Sequence, residues 1–299
     1  MDRPAAPYTL HEPLPLLDAP VLVAVLTGWI DASGAAAGAL ATVAAACDVR
    51  PLVTFDGDVF IDYRARRPTM ELRDGVNERI VWPEISLQVG RAPDGTDVLV
   101  LTGPEPDSAW RTFATAVADL AHQLGVSSAV FLGAYPFATP HTRPSRLSSS
   151  SPSRDVIEGL AFLRNSVDVP AGVSAVLEHS IADVGITAVG IWAQVPHYLG
   201  TMGYPAASVA LLDGLHTVTG LTIDATLLRT DATLQRERID QLVVANPEHQ
   251  GMVSQLETIY DDLSSATFAQ PEASFGGAEL PSGDELAAEF ERFLRDQDD

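Results

Sequence analysis

Histidine, arginine and tyrosine side chains stand together in two segments that each follow an apolar run. The first segment holds His141 and Arg143 between prolines, and the second holds His197 and Tyr198 directly after a proline. Because proline restricts the backbone, His141 and Arg143 are preorganised to hold an anion or to transfer a proton. The two histidines could share a crevice at the ends of successive strands.

The segment from Asp62 to Pro68 is the densest positive cluster in the chain. If it continues a strand, Arg64 and Arg66 lie on one face and could hold a carboxylate or phosphate with their forked guanidinium groups. The alternative is that these arginines pair with nearby acids such as Asp56 and Asp62, or with another subunit.

Two carboxylates follow apolar runs and are candidates for the same crevice. Glu105 stands between two prolines, where it could be a catalytic carboxylate or form a salt bridge to Arg111 or to the Arg64 cluster. Asp31 precedes an alanine-rich stretch, and it or Ser33 is well placed to cap a helix there. A helix N-terminus favours anions, but the carboxylate of Asp31 would compete with a bound phosphate.

Several kinds of chemistry lack the residues that they need. All 18 basic residues are arginines, so neither a Walker P-loop nor a Schiff-base lysine can be present. The single cysteine, Cys47, excludes an internal disulfide and a multi-cysteine zinc site. The sequence contains no Gly-x-Ser-x-Gly and no His-Glu-x-x-His motif, and no Gly-x-Gly-x-x-Gly follows the first strand. We therefore predict no metal, no cofactor and no recognisable catalytic residue.

The charge of the chain restricts its partners. The formal net charge is −22, and residues 231–299 alone carry 16 acids against 4 arginines. Since phosphate neutralisation dominates binding to nucleic acids, we do not expect a nucleic-acid partner. The chain begins without an apolar stretch of signal-peptide length and has no apolar run of 18 residues. We expect a cytoplasmic protein with no membrane segment.

The elements that position these residues alternate between strands and helices. Continuous apolar runs at 21–26, 97–102, 128–133 and 186–193 are typical of strands covered on both faces. Helices are predicted between and after these strands, at 35–46, 107–124, 173–184 and 204–218. This alternation predicts an α/β fold, a three-layer α/β/α sandwich with a mostly parallel central sheet.

The remaining segments carry less regular patterns. Residues 51–55 and 59–63 read as a β-hairpin around Asp56-Gly-Asp58, followed by a weaker strand near 79–82. Residues 135–154, with four prolines and a serine run, are expected to form a long irregular loop.

The domain organisation follows from these patterns and from the distribution of acids. We predict an α/β domain over 1–230 and an acidic helical extension over 231–263, with a break near Asn246-Pro247. Residues 264–299 are predicted to form a flexible linker and a short acidic helix.

Five segments recur in the order of a known family. They are Gly28-Trp-Ile-Asp-Ala32, Asp62-Tyr-Arg-Ala-Arg-Arg-Pro68, Leu101-Thr-Gly-Pro-Glu-Pro-Asp107 with Trp110-Arg111, Thr139-Pro-His-Thr-Arg-Pro144 and Trp192-Ala-Gln-Val-Pro-His-Tyr198. Together they resemble the PAC2 family, the proteins similar to proteasome assembly chaperone 2, in its actinobacterial form. The resemblance extends over roughly residues 15–220. It implies a three-layer fold similar to the nucleoside-phosphorylase/hydrolase class with an added helical C-terminal region.

The resemblance also suggests a function. Family members tend to be homo-oligomers, and eukaryotic and archaeal relatives bind proteasome subunits during assembly. The leading hypothesis is an oligomeric protein-interaction or assembly-chaperone-like factor, with proteasome subunits as candidate partners. The alternative is a small-molecule enzyme or a binder of a small anionic ligand, which uses the strand-end crevice. Its site would be formed by Asp31, Arg64, Arg66, Glu105, His141, Arg143, His197 and Tyr198.

Overall fold

The structure is a computed structural model that describes residues 6–269. Its ten strands are β1 (Tyr8–Leu10), β2 (Val21–Thr27), β3 (Arg50–Phe55), β4 (Thr69–Arg73), β5 (Val76–Val81), β6 (Ser86–Arg91), β7 (Asp97–Pro104), β8 (Ser128–Phe137), β9 (Leu147–Ser150) and β10 (Thr187–Pro196). Eight of them form one sheet in the order β1-β3-β6-β7-β2-β8-β10-β9, and β4 pairs with β5 in a separate two-stranded sheet.

The centre of the large sheet is parallel and its outer strands are antiparallel. Strands β7, β2, β8 and β10 run parallel to one another. Strands β1, β3 and β6 on one side and β9 on the other add antiparallel pairs. The carboxyl ends of the four central strands therefore lie at one edge of the sheet, which is where an α/β sheet usually presents its functional residues.

Helices cover both faces of this sheet. They are α1 (Ala35–Ala46), α2 (Gly57–Phe60), α3 (Trp110–Gln123), α4 (Arg154–Glu158), α5 (Val173–Asp183), α6 (Pro205–Thr219), α7 (Thr226–Val244) and α8 (Pro247–Ala269). The central strands are apolar throughout because alternate side chains enter two separate cores. In β2, for example, Val23 packs with α1 and α6, whereas Leu22 packs with α3 and α5. The predicted three-layer α/β/α fold is confirmed.

The predicted hairpin at 51–63 is wrong in its second half. The first strand is present as β3, but Asp56 then accepts a hydrogen bond from the backbone N–H of Asp58 and caps the short helix α2. Such a side-chain bond offers the backbone an alternative to strand pairing. The next residues form turns in which the N–H groups of Ala65 and Arg66 both donate to the carbonyl of Asp62. Arg66 therefore does not alternate with Arg64 along one strand face.

The loop predicted at 135–154 is shorter than expected. Strand β8 continues to Phe137, and the serine run forms the edge strand β9 against β10. A polar strand is stable at this position because an edge strand needs only one neighbour for its ladder and exposes part of its surface. The weak strand predicted near 79–82 is present as β5, which pairs with β4.

Two helices follow the α/β layers. The predicted break near Asn246-Pro247 is confirmed, since α7 ends at Val244 and α8 begins at Pro247. Of the segment predicted to be a linker and a short helix, residues 270–299 lie outside the described residues. Between residues 6 and 269, no helix is both long and apolar enough to cross a lipid bilayer.

Candidate functional site

The predicted site residues lie at the carboxyl edge of the central strands, but they form two separate groups. One group is at the ends of β2 and β7 and includes Arg66 and Glu105. The other is at the ends of β8 and β10 and includes His141, Arg143 and Tyr198. The structure does not join them into one crevice, because each group is engaged with different elements of the fold.

Arg66 bridges the loops after β2 and β7. Its Nε atom lies 3.1 and 3.2 Å from the two carboxylate oxygens of Asp107. Its Nη2 atom lies 2.7 Å from the point where a Cβ on Gly28 would sit. The guanidinium group is therefore held by a carboxylate over a bare stretch of backbone. Asp107, which the sequence suggested as a cap for α3, serves instead as the partner of this arginine.

Gly28 makes this arrangement possible, and its replacement tests it. Its φ angle of +123° is one that residues with a side chain rarely adopt. We expect Gly28→Ala to lower the free energy of unfolding by about 2 kcal/mol, through backbone strain and displacement of Arg66. Chemical denaturation measures this change. Gly203→Ala is the control, since no atom lies within 4 Å of its added Cβ, and equal effects of the two substitutions would contradict the expectation.

Glu105 is a buried carboxylate that joins two elements. Its side chain is 7% exposed, and Oε1 accepts a hydrogen bond of 2.5 Å from the backbone N–H of Val173, the first residue of α5. A carboxylate at a helix N-terminus is stabilised by the N–H groups that have no partner in the helix. The salt bridge expected with Arg111 or with the Arg64 cluster is wrong, because the described residues give Glu105 no ion pair.

His141 is the centre of the second group. It is 3% exposed, and its backbone N–H donates to the hydroxyl of Tyr198 at 2.8 Å. The same hydroxyl lies 2.7 Å from Nδ1 of His141, and Nε2 lies 3.0 Å from Oδ1 of Asp240. The hydroxyl accepts from the backbone, so it uses its own proton to donate to Nδ1. Nε2 therefore carries the ring proton and donates to Asp240.

Burial controls the protonation of this group. It lowers the pKa of His141, against the opposing effect of the hydrogen bond to Asp240. Burial also raises the pKa of Tyr198 to about 12, so the hydroxyl keeps its proton at neutral pH. An added proton on Nδ1 would face the hydroxyl proton of Tyr198. The neutral histidine is consequently the form that fits the network.

Arg143 is bound by the C-terminal helix α8. Its Nη1 atom lies 3.0 Å from Glu257, and its Nε and Nη2 atoms lie 2.9 and 2.8 Å from the two carboxylate oxygens of Asp261. This forked pairing lowers the pKa of Asp261 and raises that of Arg143. A small anion would have to displace two carboxylates in order to bind this arginine.

The other predicted site residues have simpler surroundings. The carboxylate of Asp31 accepts hydrogen bonds from the N–H groups of Ala36 and Ala37 at 2.8 and 3.0 Å, which confirms it as the cap of α1. Ser33 instead donates to the carbonyl of Leu199. Arg64 and His197 are exposed. Binding of a ligand by any of these residues stays a prediction.

Sequence reasoning missed the acidic side of the second group. Asp240, Glu257 and Asp261 belong to the two C-terminal helices, more than 90 residues beyond the loop that they contact. One signal was available: Glu257 and Asp261 are four residues apart and so share a helix face that an arginine can bridge. The excess of acids after residue 230 did not reveal which arginine they meet.

Neither of two open depressions on the described surface includes any of the eight predicted site residues. One, of about 400 Å³, lies beside β1 and β3 and is lined among others by His11, Tyr63, Trp82 and Glu84. The other lies beside the start of α7. Within the described part of the chain, no three His, Cys, Asp or Glu side chains are grouped as metal ligands would be.

Comparison with known proteins decides the family. The model of the PAC2 family matches residues 25–243. This chain belongs to the PAC2 family. The resemblance of the five segments is thus confirmed, and the match includes both groups of strand-end residues and α7. A comparison with curated proteins finds no match.

Solved structures similar to this PAC2 chain come from actinobacteria. A Mycobacterium tuberculosis protein of unknown function is 36% identical with a TM-score of 0.80, over 90% of this chain and 93% of its own. A proteasome-assembly chaperone homologue from the same species is 32% identical with a TM-score of 0.72, over 78% and 99%. A PAC2 family protein from Streptomyces avermitilis is 32% identical with a TM-score of 0.71, over 79% and 99%.

Proposed function

We propose that this PAC2 protein is an oligomeric, assembly-chaperone-like factor that acts through protein contacts, with proteasome subunits as its partners. The observation that carries the proposal is the similarity to the Mycobacterium tuberculosis proteasome-assembly chaperone homologue, at 32% identity over 78% of the chain. That similarity extends through 99% of the homologue, so it includes the whole of its fold and not one shared motif.

The strand-end groups support a role in protein contact more than in anion binding. Arg66 and Arg143 are both engaged by carboxylates of the chain itself. At the same edge, Trp29 and Ile30 are 49% and 38% exposed, and Met202 is 49% exposed. Large apolar side chains grouped at a surface are typical of contact sites between proteins.

The test is native mass spectrometry of the purified protein mixed with proteasome α and β subunits of the same organism. We expect mixed species, and we expect Trp29→Ser to reduce their abundance severalfold because interface tryptophans often contribute most of the binding energy. Leu227→Ser, on the exposed side of α7 at 82% exposure, is the matched control. Absence of any mixed species would contradict the proposal.

The ligand-binding alternative predicts a different result. If Arg143 holds an anion, Arg143→Ala removes thermal stabilisation by phosphate, nucleosides or carboxylates while the fold stays intact. If Arg143 only fastens α8, none of these compounds stabilises the wild-type protein, and the substitution changes the oligomeric state or has no effect on it. Thermal unfolding scans with and without each compound distinguish the two.

A further inference from the structure

Strands β4 and β5 form a two-stranded hairpin that stands apart from the large sheet. We call residues 69–82 the arm. All of β5 and most of β4 are exposed. At its base, Trp82 meets Tyr63 edge to face, with ring centroids 4.6 Å apart. The arm is therefore attached to the domain at one end and exposed along its length.

One face of the arm is apolar. The cross-strand pair Met70 and Ile80 places both side chains on the same face, and Leu72 and Trp82 lie two residues further along each strand. These four side chains are 51%, 39%, 50% and 53% exposed. On the opposite face Glu71 and Arg79 form a forked ion pair. The arm is thus amphipathic, but its apolar face is the one without a cover.

Such a hairpin needs a cover in order to be stable. A two-stranded sheet by itself is at best marginally stable in water, and it becomes stable when its apolar face packs against another layer. Four large apolar side chains on one face also form a patch of the kind that marks an interaction site. The pattern of the arm is that of a surface completed by another molecule.

The charge of the arm shows what kind of surface covers it. Residues 64–82 hold five arginines and three acids, in a chain whose net charge is −22. Arg64, Arg67 and Arg73 are exposed, and no carboxylate within the described residues pairs with them. Like charges repel and opposite charges guide association, so the covering surface must be acidic.

A second copy of this chain supplies that surface. Every copy brings a basic, apolar arm and a strongly acidic body, so the same contact can be used by each copy in turn to close an oligomer. Pairing along the free strand edge is less favourable, because a bulge interrupts the ladder at Glu78 and twists that edge. The apolar face is therefore the contact.

We propose that the apolar face of the arm, formed by Met70, Leu72, Ile80 and Trp82, docks on the acidic body of a second copy of this chain and holds the oligomer together. The inference rests on the proposed function only in taking the protein to be self-associating. It identifies the surface responsible, which lies outside the strand-end groups.

The experiment measures the mass of the purified protein alone, by native mass spectrometry and by light scattering at micromolar concentration. The wild-type protein is expected at a multiple of 31.8 kDa. Met70→Ser/Leu72→Ser should weaken association at least tenfold and shift the mass toward one chain. Val167→Ser/Val169→Ser, two exposed apolar residues at the same spacing in a loop, is the control and should keep the wild-type mass.

Hydrogen exchange separates loss of contact from loss of folding. In the wild-type oligomer the amides of the arm should be protected, and dilution or the arm substitutions should make them exchange rapidly while the large sheet stays protected. A wild-type protein of single-chain mass, or an arm variant with the wild-type mass, would overturn the proposal.

Mixing with proteasome subunits distinguishes this inference from the proposed function. An arm variant that keeps its own oligomeric mass but no longer binds the subunits would show that the arm docks on that partner instead of on a second copy. An oligomer that dissociates when the arm is changed, but never binds the subunits, would support the arm contact and contradict the proposed function.

Discussion

Replacing Glu178 by Gln is expected to raise the free energy of unfolding at pH 8 by about 3 kcal/mol. Glu178 lies on α5 and is 5% exposed, and its carboxylate accepts one hydrogen bond of 3.1 Å from the hydroxyl of Ser150. Within residues 6–269 no arginine or histidine pairs with it. Burial raises its pKa to about 7, from an ordinary value of 4.5. Glutamine keeps the shape and the acceptor without the buried charge.

The pH dependence follows from the direction of this shift. Between pH 4.5 and about 7 the folded protein holds a proton on Glu178 that the unfolded chain has released. The stability contributed by the protonated carboxyl is therefore complete below pH 4.5 and is lost as the pH rises to about 7. Denaturant unfolding should show the Gln variant well above the wild type at pH 8 and close to it at pH 4.

An exposed carboxylate provides the comparison. Glu158 lies at the surface of α4, 3.9 Å from Arg154, and Glu158→Gln should change stability little because exposed ion pairs contribute little. If Glu178→Gln gave no stabilisation at pH 8, Glu178 would have to be compensated in its charged form, and its burial would not be the dominant influence.

The layers of this fold could be predicted from the sequence because burial determines the pattern. A strand covered on both faces must be apolar at every position, so β2, β7, β8 and β10 were evident as runs such as Val21–Leu26. Segments decided by one side-chain hydrogen bond were not evident. Asp56 has the composition of a hairpin turn, yet its carboxylate caps a helical turn instead.

The candidate site was predictable in place but not in partners. The carboxyl ends of parallel strands meet at one edge by geometry, and Arg66, Glu105 and His141 do lie there. What each touches depends on distant segments: Glu105 meets α5, and His141 meets Asp240 on α7. Contacts of this kind form only after the chain has folded back on itself, and spacing in the sequence does not encode them.

Removing the side chain of His141 is expected to lower the free energy of unfolding by about 3 kcal/mol. His141→Ala creates a cavity and leaves the hydroxyl of Tyr198 without the acceptor for its proton. It also removes the bond to Asp240, and with it one attachment of α7 to the strand-end loop. His179→Ala, at an exposed position of α5, is the control in the same denaturation experiment and should be nearly neutral.

A non-titrating replacement, His141→Gln, tests the pH dependence at the same site. Because burial lowers the pKa of His141 below 6.5, the unfolded chain binds a proton in a range where the folded protein does not. Its contribution to stability is complete above pH 6.5 and is lost as the pH falls toward the lowered pKa. His141→Gln should therefore flatten the fall in stability on the acid side, relative to the wild type.

The two buried groups act in opposite directions over overlapping ranges of pH. Between the lowered pKa of His141 and pH 6.5, rising pH increases the contribution of His141 and decreases that of Glu178. The wild-type profile should be shallow there because the slopes oppose each other. His141→Gln should give a profile that falls with pH, and Glu178→Gln one that rises. Parallel profiles for the two variants would show that one of these shifts has the wrong sign.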